Sequence, residues 1–271
     1  MVLKAKIKRN CGVILLAAVF SLACYGSAPA RTYQNGFSIV LKLGGELFES
    51  LPQKFSSQID PQAIALQPQD LPVVTPIATT ENKKILRQVS LSAGFIDLAN
   101  HICHAKAADR VEPGFFQKYV RNLAQITLAD PAAPLPQIVD PKLWTDAVIN
   151  DQMSYFNQMI SFVMAINLSH LYLGHYDKYS SEMIGSGDKL VPINDFLTEA
   201  EWDVSVRAAV IDNLNCALAT DGTRALFEAI DIMPRRPAWT EYVIPAKIDI
   251  KKLNQQLAQY ESDFFHGHLK Q

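Results

Sequence analysis

Two histidines, His170 and His175, stand five residues apart near the end of a long, mostly apolar run, Gln158–Tyr176 (QMISFVMAINLSHLYLGHY). Histidine is the commonest metal ligand and the side chain that moves protons near neutral pH. A helix that holds a hydrolytic zinc ion has a specific spacing. Two His at i and i+4 bring both imidazoles to one face, a Glu directly after the first activates the bound water, and a third ligand arrives from another helix. With His170 as the second ligand, the pattern puts Ile166 at the first ligand position and Asn167 at the base position. Ile binds no metal, and the amide of Asn takes no proton from water. On a regular helix His170 and His175 diverge by about 140°. They meet only if the helix breaks between them, at Gly174.

Other residues offer chemistry of lower specificity. Asp97, His101 and His104 fall at i, i+4 and i+7, with Cys103 beside them. That spacing suits a metal or an acid–base pair, and equally the polar face of a helix. His266-Gly-His268 lies in a tail. Asn167-Leu-Ser169 fits a glycosylation sequon inside an apolar helix, where it would be buried. Thr198-Glu199-Ala-Glu201 is a capping box, Thr at the N-cap and Glu three residues later, so Glu201 has a structural use that needs no metal. No phosphate-binding Gly loop, nucleophile elbow or CxxC is present.

These residues need helices to position them. Lys142–Tyr179 reads as one long helix or two collinear ones, apolar all round in its second half, as core helices are. The capping box opens a helix running to about Leu218, and Asp221-Gly222 closes it before a short helix over Arg224–Ile232. Glu81–Val111 has helical periodicity: Leu91, Phe95, Leu98 and Ile102 form one stripe, and Ile85, Val89 and Ile96 a second row with Ser92 as its gap. Pro113 starts the next helix. Ala129–Pro141 and Gly185–Asp188 are loops, Trp239–Ile250 is a candidate strand, and Ile250–Phe264 is amphipathic. Within Arg31–Glu49 the run Phe37–Leu43 is a strand or a first helix. Leu51–Asn82 carries Pro52, Pro61, Pro68, Pro72 and Pro76 and is expected to be an extended wrap or tether. The class is mainly α, α+β at most.

Lys4, Lys6, Lys8 and Arg9 precede the apolar Gly12–Cys24 and then Ala28-Pro-Ala30, the pattern of an export signal cleaved before Arg31. An uncleaved anchor is the alternative, and Ser21-Leu-Ala-Cys24 resembles a lipobox with Ser where the pattern has Leu. Localisation is therefore expected to be periplasmic or extracellular, with lipid anchoring as a variant. Without those four cations, the 25 basic residues fall to 21 against 27 acidic ones, a net charge of −6. That balance disfavours nucleic acid or an anionic membrane as partner. No transmembrane helix is expected in the mature chain. Cys103 and Cys216 remain after cleavage and either pair or stay as two buried thiols.

The run Leu168–Tyr176 resembles the active-site helix of the HExxH gluzincin metallopeptidases, closest to the CAAX-processing and periplasmic chaperone-protease type. In that family the helix commonly continues into a Gly-His pair, as at Gly174-His175. Its third ligand is a Glu on a later helix in an E-x-x-A-D motif. Two registers fit: Glu201-Trp-Asp-Val-Ser205, with Val and Ser for Ala and Asp, and Glu199-Ala-Glu-Trp-Asp203, which lacks the Ala. The resemblance spans Phe162–Ala209. It implies a zincin-like helical domain over 81–271 with a small or absent sheet, preceded by the signal at 1–30 and the extended segment at 31–80. It implies vestigial metal ligands at His170 and Glu201, with His175 and Glu199 as alternatives. Because Ile166 and Asn167 occupy the first ligand and base positions, it implies a pseudo-peptidase that has no cofactor, or zinc at low occupancy, and binds a protein or peptide. The alternatives are an active zinc peptidase with shifted ligands and Asp203 as base, and a helical envelope protein unrelated to peptidases.

Overall fold

The computed structural model describes residues 34–81, 83–183 and 191–269. The expected signal segment and the expected loop at Gly185–Asp188 lie outside these residues. The first element is a helix, α1 (Gln34–Ser50), which settles the Phe37–Leu43 run. Its buried Val40, Leu43 and Leu47 recur at steps of three and four, the stripe of a helix lying on a core. A Cβ on Gly44 would sit 2.3 Å from Ile64 Cγ1, so only Gly lets α1 press this closely on the chain that follows. A short α2 (Gln53–Ser56) leads to β1 (Ile64–Gln67), β2 (Val74–Glu81) and β3 (Lys84–Ser92). The sheet order is β1-β3-β2, with β1 parallel and β2 antiparallel to β3.

Two expectations change here. The Pro-rich segment is no tether: it forms α2, β1 and β2, and Leu51, Ile59, Ala63, Ile64 and Val74 join the main core. Pro76 is tolerated because β2 is an edge strand, where a missing N–H need leave no partner stranded. And Lys84–Ser92, read as the start of a helix, is the central strand. Its apolar residues Val89 and Leu91 are two apart as well as being members of helical rows, so periodicity alone did not decide. The helix begins one residue after the apparent gap. Ser92 is its N-cap, with Oγ accepting from Phe95 N at 3.1 Å.

That helix, α3 (Ala93–Ala108), and α4 (Phe115–Ala129) flank the centre of the molecule, α5 (Asp146–Tyr172). The later helices are α6 (His175–Met183), α7 (Glu199–Asn215), α8 (Asp221–Ile232) and α9 (Ile250–Phe265). α5 packs against α1, α3, α7, α8 and the sheet strands β2 and β3, and its residues from Met159 to Tyr172 are all buried. The short 3-10 turn Ala238–Tyr242 stands where a strand was expected, between Pro237 and Pro245. Nine α-helices against one three-stranded sheet among the described residues make the protein mainly α. No helix of the described residues is long and apolar enough to cross a membrane.

Candidate functional site

The long helix ends where the histidines need it to. α5 closes at Tyr172, Leu173 caps it, and Gly174 takes φ +80°, the left-handed conformation that stops a helix and that only Gly adopts freely. α6 starts at once with His175. The His175 ring therefore folds back on His170 instead of facing away from it. Their Nδ1 atoms are 3.2 Å apart, and the ring planes meet at 44°.

A third group completes the cluster. Ser205, in the second turn of α7, places its Oγ 3.2 Å from His170 Nδ1 and 3.3 Å from His175 Nδ1. The same hydroxyl donates to the backbone carbonyl of Glu201 at 3.0 Å. All three residues are buried. Burial, with the neighbouring His175, pushes the His170 pKa down to about 3 against a smaller upward pull from Glu201. Burial likewise lowers that of His175, with Glu201 opposing and Lys178 reinforcing. Both rings are neutral at physiological pH.

The other positions of the zinc pattern are put to different use. Ile166 is buried, and Asn167 Nδ2 donates to the Val163 carbonyl of its own helix at 2.8 Å. Glu201 does form the expected capping box: its Oε2 accepts from Thr198 N at 2.9 Å and Thr198 Oγ at 2.8 Å. It also receives Lys178 Nζ at 2.7 Å and the Tyr179 hydroxyl at 3.0 Å. Burial favours the neutral acid, but these hydrogen bonds outweigh it and hold the carboxyl near pKa 2. Its carboxylate is thus committed to the cap of α7 and to α6. Glu199 is exposed on the first turn of α7. Asp203 accepts from Gln256 and Tyr260 of α9, away from the histidines.

The residues present do not fit the zinc set that the resemblance implies, because the first ligand is an alkyl chain and the carboxylate of Glu201 is spent on the cap. Among the described residues, no group of three or more His, Cys, Asp or Glu is arranged to hold a metal ion. The Asp97–His104 face disperses as well. His101 Nδ1 meets the Tyr119 hydroxyl at 2.8 Å, His104 Nε2 the Leu143 carbonyl at 2.8 Å, and Cys103 Sγ lies by Met159 Sδ at 3.7 Å. Cys103 and Cys216 are both free thiols. His266 binds back to the Ser262 carbonyl in the exposed tail.

Sequence reasoning missed Ser205 as a member of the site. Its signal was present: it lies one turn after Glu201 on the same face of α7, at the position where the family pattern has Asp. Around the cluster, Tyr172 donates to the buried Asp212 at 2.9 Å, and Phe55 stacks on the Tyr172 ring at 4.3 Å. Tyr176 accepts from Ala78 N at 3.0 Å, and Arg87 grips Asp177 at 2.9 and 3.2 Å, tying α6 to the sheet. No family model, curated protein or solved structure matches the chain.

Proposed function

We propose that this chain is an exported, hydrolytically silent relative of the HExxH metallopeptidases that works by binding a protein or peptide partner. The observation that carries the reading is the fate of the groups that would activate water. Asn167 spends its amide on the Val163 carbonyl, and Glu201 spends its carboxylate on Thr198, Lys178 and Tyr179. The helix frame remains: a buried α5 ending in a Gly-His turn, packed against the α7 that carries Glu201. Hydrolysis at such a frame needs a general base beside a polarised water, and among the described residues the side chains that meet His170 and His175 are each other and Ser205.

The partner would sit at the surface formed by α7 and the start of α9. Two adjoining cavities of about 270 and 750 Å³ share Glu199, Trp202, Lys247 and Ile248 and run between α7 and the start of α9. Their combination of apolar walls and charged rim suits an extended peptide. The test of silence is turnover of casein and of a fluorogenic peptide library by the purified mature chain with zinc in excess. No cleavage above buffer is expected. Cleavage abolished by His170→Ala, and by a chelator, would overturn the reading in favour of an active peptidase with shifted ligands.

A further inference from the structure

We propose that the narrower of the two cavities between α7 and the start of α9 is a subsite for an arginine side chain of the bound peptide. The inference rests on the peptide-binding reading above and adds to it the residue that the peptide must carry. The cavity, of about 270 Å³, has two kinds of wall. Leu197, Trp202, Pro245 and Ile248 are apolar, and Asn194, Asp195 and Glu199 bring oxygen acceptors. An arginine has the same division. Its stem packs along hydrocarbon, and its cationic head carries five N–H donors and no acceptor.

The acceptors are uncommitted. Asn194 is 4% exposed; its Nδ2 donates to the Glu241 carbonyl at 2.9 Å, and its Oδ1 has no protein partner. A buried polar atom left unpaired is rare in a native fold. Among the described residues, neither Asp195 nor Glu199 has an ion-pair or hydrogen-bond partner for its carboxylate. Partial withdrawal from water raises the carboxyl pKa of Asp195 above the ordinary value, with no bonded partner to offset the loss. The other carboxylates of the groove are engaged. Asp203 accepts from Gln256 and Tyr260, and Asp249 accepts from the N–H groups of Lys251 and Lys252. The unspent negative charge therefore lies at the narrow cavity. Trp202, 3% exposed, likewise lacks a partner for its indole N–H, a donor suited to a main-chain carbonyl of the peptide.

Arginine suits the cavity better than lysine. The acceptors come from two elements, the 3-10 turn Ile193–Asp195 and the first turn of α7. A planar fork reaches several acceptors at once, where an ammonium acts as a point charge. Lys247 is shared by both cavities and Lys252 lines the wider one, and among the described residues neither has a carboxylate partner. The two carboxylates outweigh Lys247 at the narrow end. In the wider cavity the two lysines disfavour a second cation and offer a countercharge to an acidic residue of the same peptide. The groove thus takes a peptide of mixed sign with its arginine in the narrow end.

The test screens the full chain against an array of random hexapeptides and then measures the affinity of labelled binders by fluorescence anisotropy. Binders should be enriched in arginine. Replacing that arginine by citrulline, its uncharged isostere, should weaken binding about 10-fold or more, the loss expected for one charge-assisted hydrogen bond. Asp195→Asn/Glu199→Gln should abolish the preference for arginine over citrulline. Peptides bound without that preference, or a preference retained in the double variant, would overturn the subsite and leave peptide binding standing. No bound peptide anywhere in the array would overturn peptide binding and the subsite with it. In the unsubstituted chain the indole N–H resonance of Trp202 should shift with an arginine peptide, and an unmoved signal at saturation would place that peptide elsewhere and overturn the site.

Discussion

Each histidine of the core is held by specific neighbours, and these decide what the ring can do. His101 and His104 show this most simply. Burial, and for His101 the proximity of His104, keep both rings neutral, with the Pro136 and Leu143 carbonyls pulling weakly the other way. His101 titrates near 4 in the fold against 6.5 when free. Between those values the unfolded chain binds a proton that the folded chain refuses. The stability that is whole above pH 6.5 is therefore lost as pH falls toward 4, at about 1.4 kcal/mol per pH unit per group. Urea unfolding at pH 7 and pH 4.5 measures this. His101→Gln should flatten the difference between the two, and an unchanged difference would show that His101 does not drive it. At this scale the sequence was half legible. That Ile166 offers no metal ligand and Asn167 no base was legible, because side-chain type alone decides that. The meeting of His170 with His175 was legible only as a condition on Gly174, and Ser205 was overlooked because, one turn after the capping Glu201, it read only as a replacement for the Asp of the family pattern.

At the scale of elements, the break at Gly174 and the strand–helix junction at Ser92 do most to place the site. Gly174→Ala meets no atom within 4 Å, so its cost is purely the left-handed φ of +80°, about 1 to 2 kcal/mol. It should also separate the two imidazoles, so their NMR shifts should move with the loss of stability. Gly94→Ala should cost more, because its Cβ would lie 1.8 Å from the Asp70 carbonyl oxygen. If chemical denaturation ranked these two variants the other way, the close packing of α3 on the 69–70 turn would be in error. The helices were legible where a cap is explicit, as at Thr198, whereas the Thr145 N-cap of α5 was not read and the stop at Gly174 was seen only as a condition. β3 was not, because its apolar residues Val89 and Leu91 fit helical rows as well as the two-residue repeat of a strand.

For the whole molecule, the chief revision concerns residues 31–80. Expected as an extended segment ahead of a helical domain, they supply α1, α2, β1 and most of β2, two strands on either side of β3, and Phe55 against Tyr172. A chain starting at residue 81 should therefore not be a smaller stable domain. It would leave β3 with two unpaired edges and expose the apolar face that α1 covers. Loss of cooperative unfolding and of native circular dichroism is the expected result, and a cooperative, soluble truncate would refute the single-core view. The sequence could not reveal this, since five prolines mark breaks but do not say whether the pieces between them pair.

The central proposal is that α5 is a zinc-protease-like helix with Ile166 and Asn167 at the places of its first ligand and its base. The most direct measurement is the zinc affinity of Ile166→His/Asn167→Glu beside the unsubstituted chain, by calorimetric titration of the metal-free proteins. Position 166 lies one turn before His170 on the same face of α5, so an imidazole there should restore the missing ligand beside His170 and tighten zinc binding by at least about 10-fold. Equal affinity in the two proteins would contradict the account, because it would mean that position 166 does not belong to the place where His170 points.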